Sequence, residues 1–522
     1  MGTAYGYGYS VPDIGHTVPK EDPMSQVVIA GGGTVGLAAA VFLGQQGIPV
    51  LVLERRTRPS VHPRALGVSP RTLELFRSAG LSEAIDAVAV RSAVPGKADA
   101  RTVAEIDRTQ PSRAPRFTGP DLSPETPRGH YSQDRLDSVL LPAAHDRGAT
   151  IEIGVAVTGV EQDADGVDVS LSDGRTVRAA YLIGADGVNT TVRAALGIGT
   201  TGPGEIGDTT LNILFDADLV GRFGPLPMLT EISHPDARGM LLAVGEGRWV
   251  FHTKPPADGR FTDETCAASI RTALGADVPL EIVSVLPWRA TVRMADAFRS
   301  GRAFLVGDAA RAISPLGGFG LNTGIADAHN LAWKLAMVLT GRAGDRLLDS
   351  YHEERHALAQ IVTAQAMLRW ANPRLHWDPS EVAERDRAGA WYAPMVTMGY
   401  RYDSSAIAGP VPPLPSTEDV AAALDGAPGS HLRHRWIDGV STLDMIGPGF
   451  TLLTGSEEWD DAARTLDLPV VRIDGDWPES VGIDATGALL VRPDAFIAWR
   501  SVKADADALP AVLAAVTGGR AA

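Results

Sequence analysis

The stretch from Val27 to Glu54 constrains this chain more than any other. Val27-Val28-Ile29-Ala30 is a short, β-branched, apolar run and reads as a strand buried on both faces of a parallel sheet. Gly31-x-Gly33-x-x-Gly36 follows, then the Ala/Leu-rich run LAAAVFLGQQG, a helix ending at Gly47, then a second strand over 49–54. This is a βαβ unit with its glycines at the first strand-to-helix turn. Gly31 permits the tight turn, Gly33 lets the main chain approach a pyrophosphate, and Gly36 lets helix and strand pack closely. The helix start offers free N–H groups and a partial positive charge to phosphates. Glu54 closes the second strand, where a carboxylate accepts hydrogen bonds from a ribose diol. A glycine turn without a ligand is the plainer alternative, and it leaves that context unexplained. Motif and spacing alone do not choose between NAD and FAD.

The chain has 522 residues, room for roughly three domains at about 150 residues each. Apolar residues make up 44% and charged residues 21%, which excludes a wholly disordered chain. Lys+Arg is 47 and Asp+Glu 63, so the formal charge is 47 − 63 = −16, and phosphate backbones are repelled rather than bound. Cys266 stands alone, which excludes an internal disulfide, a Cys-rich zinc site and a Cys-x-x-Cys pair and fits a reducing cytoplasm. No metal site is expected. No apolar run of about 18 residues marks a membrane span. Residues 1–24, rich in Gly, Tyr and Pro, lack a signal-peptide core and read as a flexible leader.

The pattern along the chain predicts an α/β protein with an inserted α+β layer. A Rossmann-like dinucleotide domain is assembled from 25–106, 130–203 and 299–372, with 107–129 as a crossover loop. A mixed-sheet substrate domain is expected over 204–298. Residues 373–417 form a connector ending in the Pro-rich 409–417, and 418–522 form a small α/β domain. Ser69-Pro70 reads as a helix N-cap and first residue. Residues 151–183 hold three strand-like runs separated by the hairpin signals Asp165-Gly166 and Asp173-Gly174. Long helices are expected over 319–340 and 345–370.

Two further motifs carry chemistry. Gly184-Ala185-Asp186-Gly187 follows the apolar run Tyr181-Leu182-Ile183, and Asp186 either meets the ligand or caps the next helix. The second is Gly307-Asp308-Ala309-Ala310 after a buried strand, then Pro315-Leu316-Gly317-Gly318-Phe319-Gly320-Leu321-Asn322 opening a helix. A strand delivers Asp308 to its C-terminal end. The Pro/Gly loop lets a flat ring lie on bare main chain, with helix N–H groups aimed at charge developing on it.

These motifs, in this order and spacing over about residues 25–370, resemble those of the single-component flavoprotein aromatic hydroxylases of the para-hydroxybenzoate hydroxylase fold. Gly399-Tyr400-Arg401-Tyr402, Pro428-Gly429-Ser430, His434, Trp436 and Leu489–Asp494 extend the resemblance to the larger phenol-hydroxylase-like and polyketide-tailoring members, of the tetracenomycin, anthracycline and angucycline type. Those carry a C-terminal thioredoxin-like domain. Here that domain has no cysteine, which leaves a structural or dimerising role, a homodimer among them.

The resemblance implies the following roles. Gly31, Gly33 and Gly36 hold the FAD pyrophosphate. Glu54 binds the adenosine ribose with Arg55 nearby, and Arg64 contacts flavin phosphate or ribityl. Gln133 and Asp308 hold the ribityl chain, and main chain near Val157 touches adenine. Asp186 is counted with the cofactor set. Pro315 lies against the flavin face, with Gly317 and Gly318 beside it as the best approach to a catalytic element. Gly320, Leu321 and Asn322 offer N–H groups to the pyrimidine edge. Many relatives have His where this chain has Arg311. The implied reaction is NAD(P)H- and O2-dependent hydroxylation of an aromatic substrate through a flavin C4a-hydroperoxide. NADPH or NADH is the co-substrate, with no nucleic-acid or membrane partner. Baeyer–Villiger oxidation or epoxidation on the same fold, and a non-catalytic flavin binder, stay open at this point. His252, Arg293 and Tyr392 are candidates for phenol activation, and Trp249, Trp288, Trp370, Trp377 and Trp391 for stacking, each with a structural role as the plainer alternative. Cys266 reads as a small apolar filler.

Overall fold

The computed structural model describes residues 26–58, 62, 65–91, 93–110, 122–256, 259–378 and 380–519. The leader, Arg64 and residues 111–121 of the crossover loop lie outside them.

The strands Val27–Ala30, Val50–Glu54, Thr150–Ile153, Tyr181–Gly184 and Ala303–Leu305 form a parallel sheet, extended at one edge by the antiparallel pair partner Arg299–Ser300. Val27–Ala30 sits at its centre, in register with Val50–Leu53 on one side and Tyr181–Gly184 on the other. All four of its residues are buried, as an apolar β-branched run between two covered faces requires. The helices Thr34–Gln45 and Phe319–Leu339 pack together, and the edge of His329 meets the Phe42 ring at 4.8 Å.

Residues 151–183 fold differently from expectation, as parts of five strands rather than three. Val157–Gln162, Val167–Leu171 and Thr176–Ala179 make a separate antiparallel sheet, while the flanking runs belong to the parallel one. Gly154, at φ +83°, turns the chain out of the first sheet.

A seven-stranded mixed sheet lies beside the dinucleotide layer. Its order is Arg311–Ala312, Glu281–Ala295, Thr200–Asp216, Arg248–Thr253, Gly239–Gly245, Leu226–Ile232, Ala93–Ala100. The expected boundaries need correction here. Ala93–Ala100 and the start of Thr200–Asp216 were assigned to the dinucleotide domain, yet they pair into this sheet. One face of the sheet buries Phe215, Trp249 and Phe251 against Cys266, Ile270 and Leu274 of the helix Asp263–Leu274. The other face turns Leu214, Val244 and Val250 toward Leu66.

At the C-terminal end, Val470–Arg472, Thr451–Thr454, Ala488–Val491 and Ile497–Ser501 form a four-stranded sheet in that order. The first pair is parallel and the others antiparallel, and helices Asp460–Thr465 and Leu509–Val516 complete the expected thioredoxin-like arrangement. Phe450, Leu452 and Trp459 share an apolar cluster with Trp333 and Met337 of the helix Phe319–Leu339. Among the described residues no helix is long and apolar enough to cross a membrane.

Charges join these parts beneath the surface. Glu354, on the helix Asp349–Ala371, accepts from Lys334 Nζ at 2.8 Å, Asn330 at 2.7 Å and Arg492, which comes from the C-terminal unit. Arg492 also grips Asp494 at 2.6 Å. Burial pushes the Glu354 carboxyl up, but Arg492 and Lys334 outweigh it and hold it well below the usual range. Removing one member of such a buried set strands its partners without compensation, at about 3–5 kcal/mol. We therefore expect Arg492→Leu to lower the thermal midpoint by many degrees. Arg464→Leu removes only the exposed pair with Asp461 and leaves the midpoint unchanged. Differential scanning calorimetry of the two variants checks this.

Candidate active site

The parallel strands deliver Gly31, Glu54, Asp186 and Asp308 to one edge of their sheet. A Cβ on Gly31, at φ +108°, would lie 2.4 Å from the Ala185 carbonyl oxygen, and one on Gly36 would lie 1.9 Å from the Gly31 oxygen. At both positions main chain abuts main chain. Gly33 differs, because nothing lies within 4 Å of the point its Cβ would occupy. The following helix has no side-chain cap and no acidic residue in its first turn. That open glycine and uncapped helix start form a cradle that fits a pyrophosphate.

Glu54 lies across the cradle. Its Oε2 accepts from the Gly32 N–H and its Oε1 from the Arg56 N–H, both at 2.8 Å. Its carbonyl takes the N–H groups of Gly154 and Val155, which brings the loop before Val157 alongside. Val157 itself is buried, and Arg55 is exposed just past Glu54. Asp186 has the capping role: its Oδ2 accepts from Thr191 N at 2.7 Å and Val192 N at 3.1 Å, and its buried Oδ1 has no protein partner.

Gln133 opens the helix Gln133–Asp146, and its N–H donates to the Ala65 carbonyl at 3.2 Å. One turn on, Asp137 accepts from the Thr34 hydroxyl at the start of the glycine-motif helix. Burial, with Asp134 and Glu54 close by, pushes the Asp137 carboxyl up to about 7. Sequence reasoning missed this contact, since it joins two helix starts far apart in the chain.

Asp308 is exposed although Gly307 and Ala309 beside it are buried. Gly307 and Gly324 meet at Val35: a Cβ on Gly324 would lie 2.8 Å from the Val35 side chain and 3.2 Å from the Gly307 Cα. This contact sets Asp308 beside both helix starts. Pro315 and Gly318 are exposed, and Gly317 and Gly318 have φ of +103° and +65°. The helix Phe319–Leu339 has no side-chain cap, so the first-turn N–H groups of Gly320 and Leu321 face outward unclaimed by one. The Asn322 side chain is fully committed. Its Oδ1 accepts from Ser69 N at 2.7 Å and Thr72 Oγ1 at 2.6 Å, and its Nδ2 donates to the carbonyls of Gly67 and Gly318. Only its main chain remains for a ligand. Ser69 caps the helix Pro70–Ser78 as expected.

Arg311 is buried in an ion pair with Asp327 at 2.6 Å, and Arg355 joins Asp327 from the other side. Of the phenol-activation candidates, Arg293 is exposed beside the strand Arg311–Ala312, while Tyr392 packs with Met395 and Leu424. His252 faces the same side of the mixed sheet as Val250, and burial lowers its pKa to about 4. Trp249 is buried on the opposite face with its N–H on the Ala217 carbonyl, a structural role. Trp370 lies over Gly207, and Trp377 meets the edge of His376. Trp391 is tied by its main chain to Gln365. Cys266 is an apolar filler, its thiol pushed up by burial. No group of three His, Cys, Asp or Glu among the described residues could hold a metal.

The chain's relatives match this geometry. Residues 24–366 fit a family model described as an FAD binding domain, and 425–519 fit one described as the C-terminal part of aromatic-ring hydroxylases. A tetracenomycin B2 monooxygenase-dioxygenase of Streptomyces olivaceus is 39% identical, covering 91% of this chain and 95% of that protein. An aklavinone 12-hydroxylase of Streptomyces purpurascens is 36% identical over 92% and 96%. Among solved structures, aklavinone-11 hydroxylase in a ternary complex with FAD and aklavinone has a TM-score of 0.82 at 33% identity, over 95% of this chain and 99% of that one. Likeness over nearly the whole length, in sequence and in fold, means that the chain belongs to the FAD-binding aromatic-ring hydroxylases and is a flavoprotein monooxygenase.

Proposed function

We propose that this chain hydroxylates a fused-ring, polyketide-type phenol at the expense of NAD(P)H and O2, in the cytoplasm. The observation that carries this reading is the exposed Pro315–Gly318 loop at an uncapped helix start, next to a sheet face whose rim holds Leu286 and Trp288, 39% and 36% exposed. A flat ring of the cofactor fits the first, and a flat apolar substrate fits the second. The names of the relatives, tetracenomycin and aklavinone oxygenases among them, support the substrate class.

FAD held by these residues would supply the redox chemistry, hydride acceptance from NAD(P)H and activation of O2. The protein's own residues do the rest. Gly31, Gly33 and Gly36 admit the pyrophosphate to the helix start, with Glu54 and Arg55 on the adenosine side and Val157 main chain near adenine. Asp308 and Gln133 take the ribityl hydroxyls, and Asp186 steadies the strand end beside them. The N–H groups of Gly320, Leu321 and Asn322 stabilise negative charge on the reduced ring. Pro315, Gly317 and Gly318 keep the ring face shallow and keep water from it.

Purified protein should be yellow, and a panel of phenolic polyketides should contain one that accelerates NADPH loss and returns a hydroxylated product by mass and NMR. A flat response to every phenol would overturn the reading. Asp308→Ala should weaken FAD binding by roughly ten- to hundredfold, the range for a charge-assisted hydrogen bond, measured by flavin release on dilution. Asp137 yields a pH test. Its raised carboxyl titrates near neutrality, and a nearby pyrophosphate disfavours its ionised form further, so FAD binding takes up a proton. FAD affinity should therefore fall between about pH 6 and pH 8, and Asp137→Asn should flatten that slope.

A further inference from the structure

The face of the mixed sheet turned toward the dinucleotide layer is apolar, with one polar spot in it. His252 and Asn212 are direct cross-strand partners, as are Asn212 and Leu286, and Thr210 and Trp288. Side chains opposite one another in an antiparallel pair lie on the same face, with Cβ atoms about 5 Å apart. Deep on this face Leu214, Val244 and Val250 are covered by Leu66. At the rim Leu286 and Trp288 stand open. Asn212 and His252 lie between these two zones, and both are half-buried.

Two observations mark the spot as built for a ligand. The Asn212 Oδ1 is buried and accepts no hydrogen bond from the protein. A buried carboxamide oxygen left so is costly, and structures rarely leave one unfilled. His252 is held neutral by burial and by the neighbouring His62, so its ring offers one donor and one acceptor rather than a charge. His62 is itself fixed by Ser284, with its Nδ1 3.1 Å from the hydroxyl oxygen. Gly67, a few residues further along the chain, accepts from the Asn322 side chain at the start of the helix Phe319–Leu339. The sheet that bears the polar spot and the helix start proposed to receive the flavin thus each bind a residue of the stretch 62–67. Further along the strand of Asn212, Trp370 lies on bare main chain at Gly207, where a Cβ would come within 2.7 Å of its indole.

We infer that Asn212 and His252 are positioning residues that anchor the oxygenated edge of a fused-ring phenol or hydroxyquinone. A ring hydroxyl donates to Asn212 Oδ1, and a neighbouring ring oxygen accepts from the His252 imidazole. The apolar rings then lie along Leu286 and Trp288. The inference rests on the function proposed above and deepens it, because it names the groups that fix which ring carbon faces the cofactor.

The test uses oxidised holoprotein without NADPH, titrated with naphthazarin (a fused-ring dihydroxyquinone) and with unsubstituted naphthoquinone, read by perturbation of the flavin spectrum. Wild type should bind naphthazarin more tightly. Asn212→Ala and His252→Phe should each weaken naphthazarin by about tenfold, the scale of one hydrogen bond, and leave naphthoquinone unchanged. His252→Gln, which keeps a donor and an acceptor, should recover most of the loss. With NADPH and an accepted phenol, the same two variants should release more peroxide per NADPH consumed. Equal losses for both probes would reduce the pair to packing and overturn the inference. So would no loss for either probe in variants that retain flavin. Yellow wild-type protein that binds neither probe and oxidises NADPH at the same rate with every phenol would overturn the functional reading beneath it, whereas tight binding indifferent to ring hydroxyls would overturn only the anchor.

Discussion

Two carboxylates with no access to water, Asp327 and Glu354, organise the middle of this molecule. A charge at such depth must be matched on every side. Asp327 receives the Gly307 N–H, Arg311 and Arg355, so the strand end that bears Asp308, the next strand and the helix Asp349–Ala371 are drawn to one point. Glu354 collects Lys334, Asn330 and Arg492, which ties the helix pair to the C-terminal unit. Arg71 adds a third tie, from the helix after the Asn322-bound loop to the Asp494 carbonyl at 2.7 Å and to His431 at 2.8 Å. The strand end before the Pro315–Gly318 loop is therefore held by charges buried behind it.

The site follows a different rule. Its gripping surface is main chain, so its specificity lies in where side chains are missing. Gly31 and Gly36 are required by close approach, while the space beside Gly33 is open. The helix start at Phe319 is held in place from behind, by Asn322 clasping Gly67 and Ser69, and its front stays bare. Arg311 serves this same support, as the ion partner of Asp327.

Much of this was legible in the chain. The parallel layer announces itself through β-branched runs ending in glycine motifs, because strands buried on both faces can hardly use other residues. The C-terminal end was readable as a small α/β domain from its order of short runs, and as thioredoxin-like only through the family resemblance. The edge strand Ala93–Ala100 was not, since AVPGKADA has no apolar alternation and its partner Leu226–Ile232 lies far downstream. Asp186 was poised between two roles, and only the N–H groups of Thr191 and Val192 reveal the cap. For Asn322 the sequence pointed to the main chain, while its side chain answers to partners about 250 residues away. Asn212 drew no notice at all, because its significance comes from the parity of a long strand and an empty lone pair, and neither is written in local composition.

The thioredoxin-like unit contributes no thiol, yet Arg492 and Asp494 complete the central charge set, and the last helix fastens back onto the body where the Gly344 N–H donates to the Thr517 carbonyl. A ribosome makes Glu354 and Lys334 well before it makes Arg492. Until then Glu354 has Lys334 and Asn330, but not the Arg492 guanidinium, to balance its buried charge. The charge set beneath the dinucleotide layer is thus complete only when the C-terminal unit is in place.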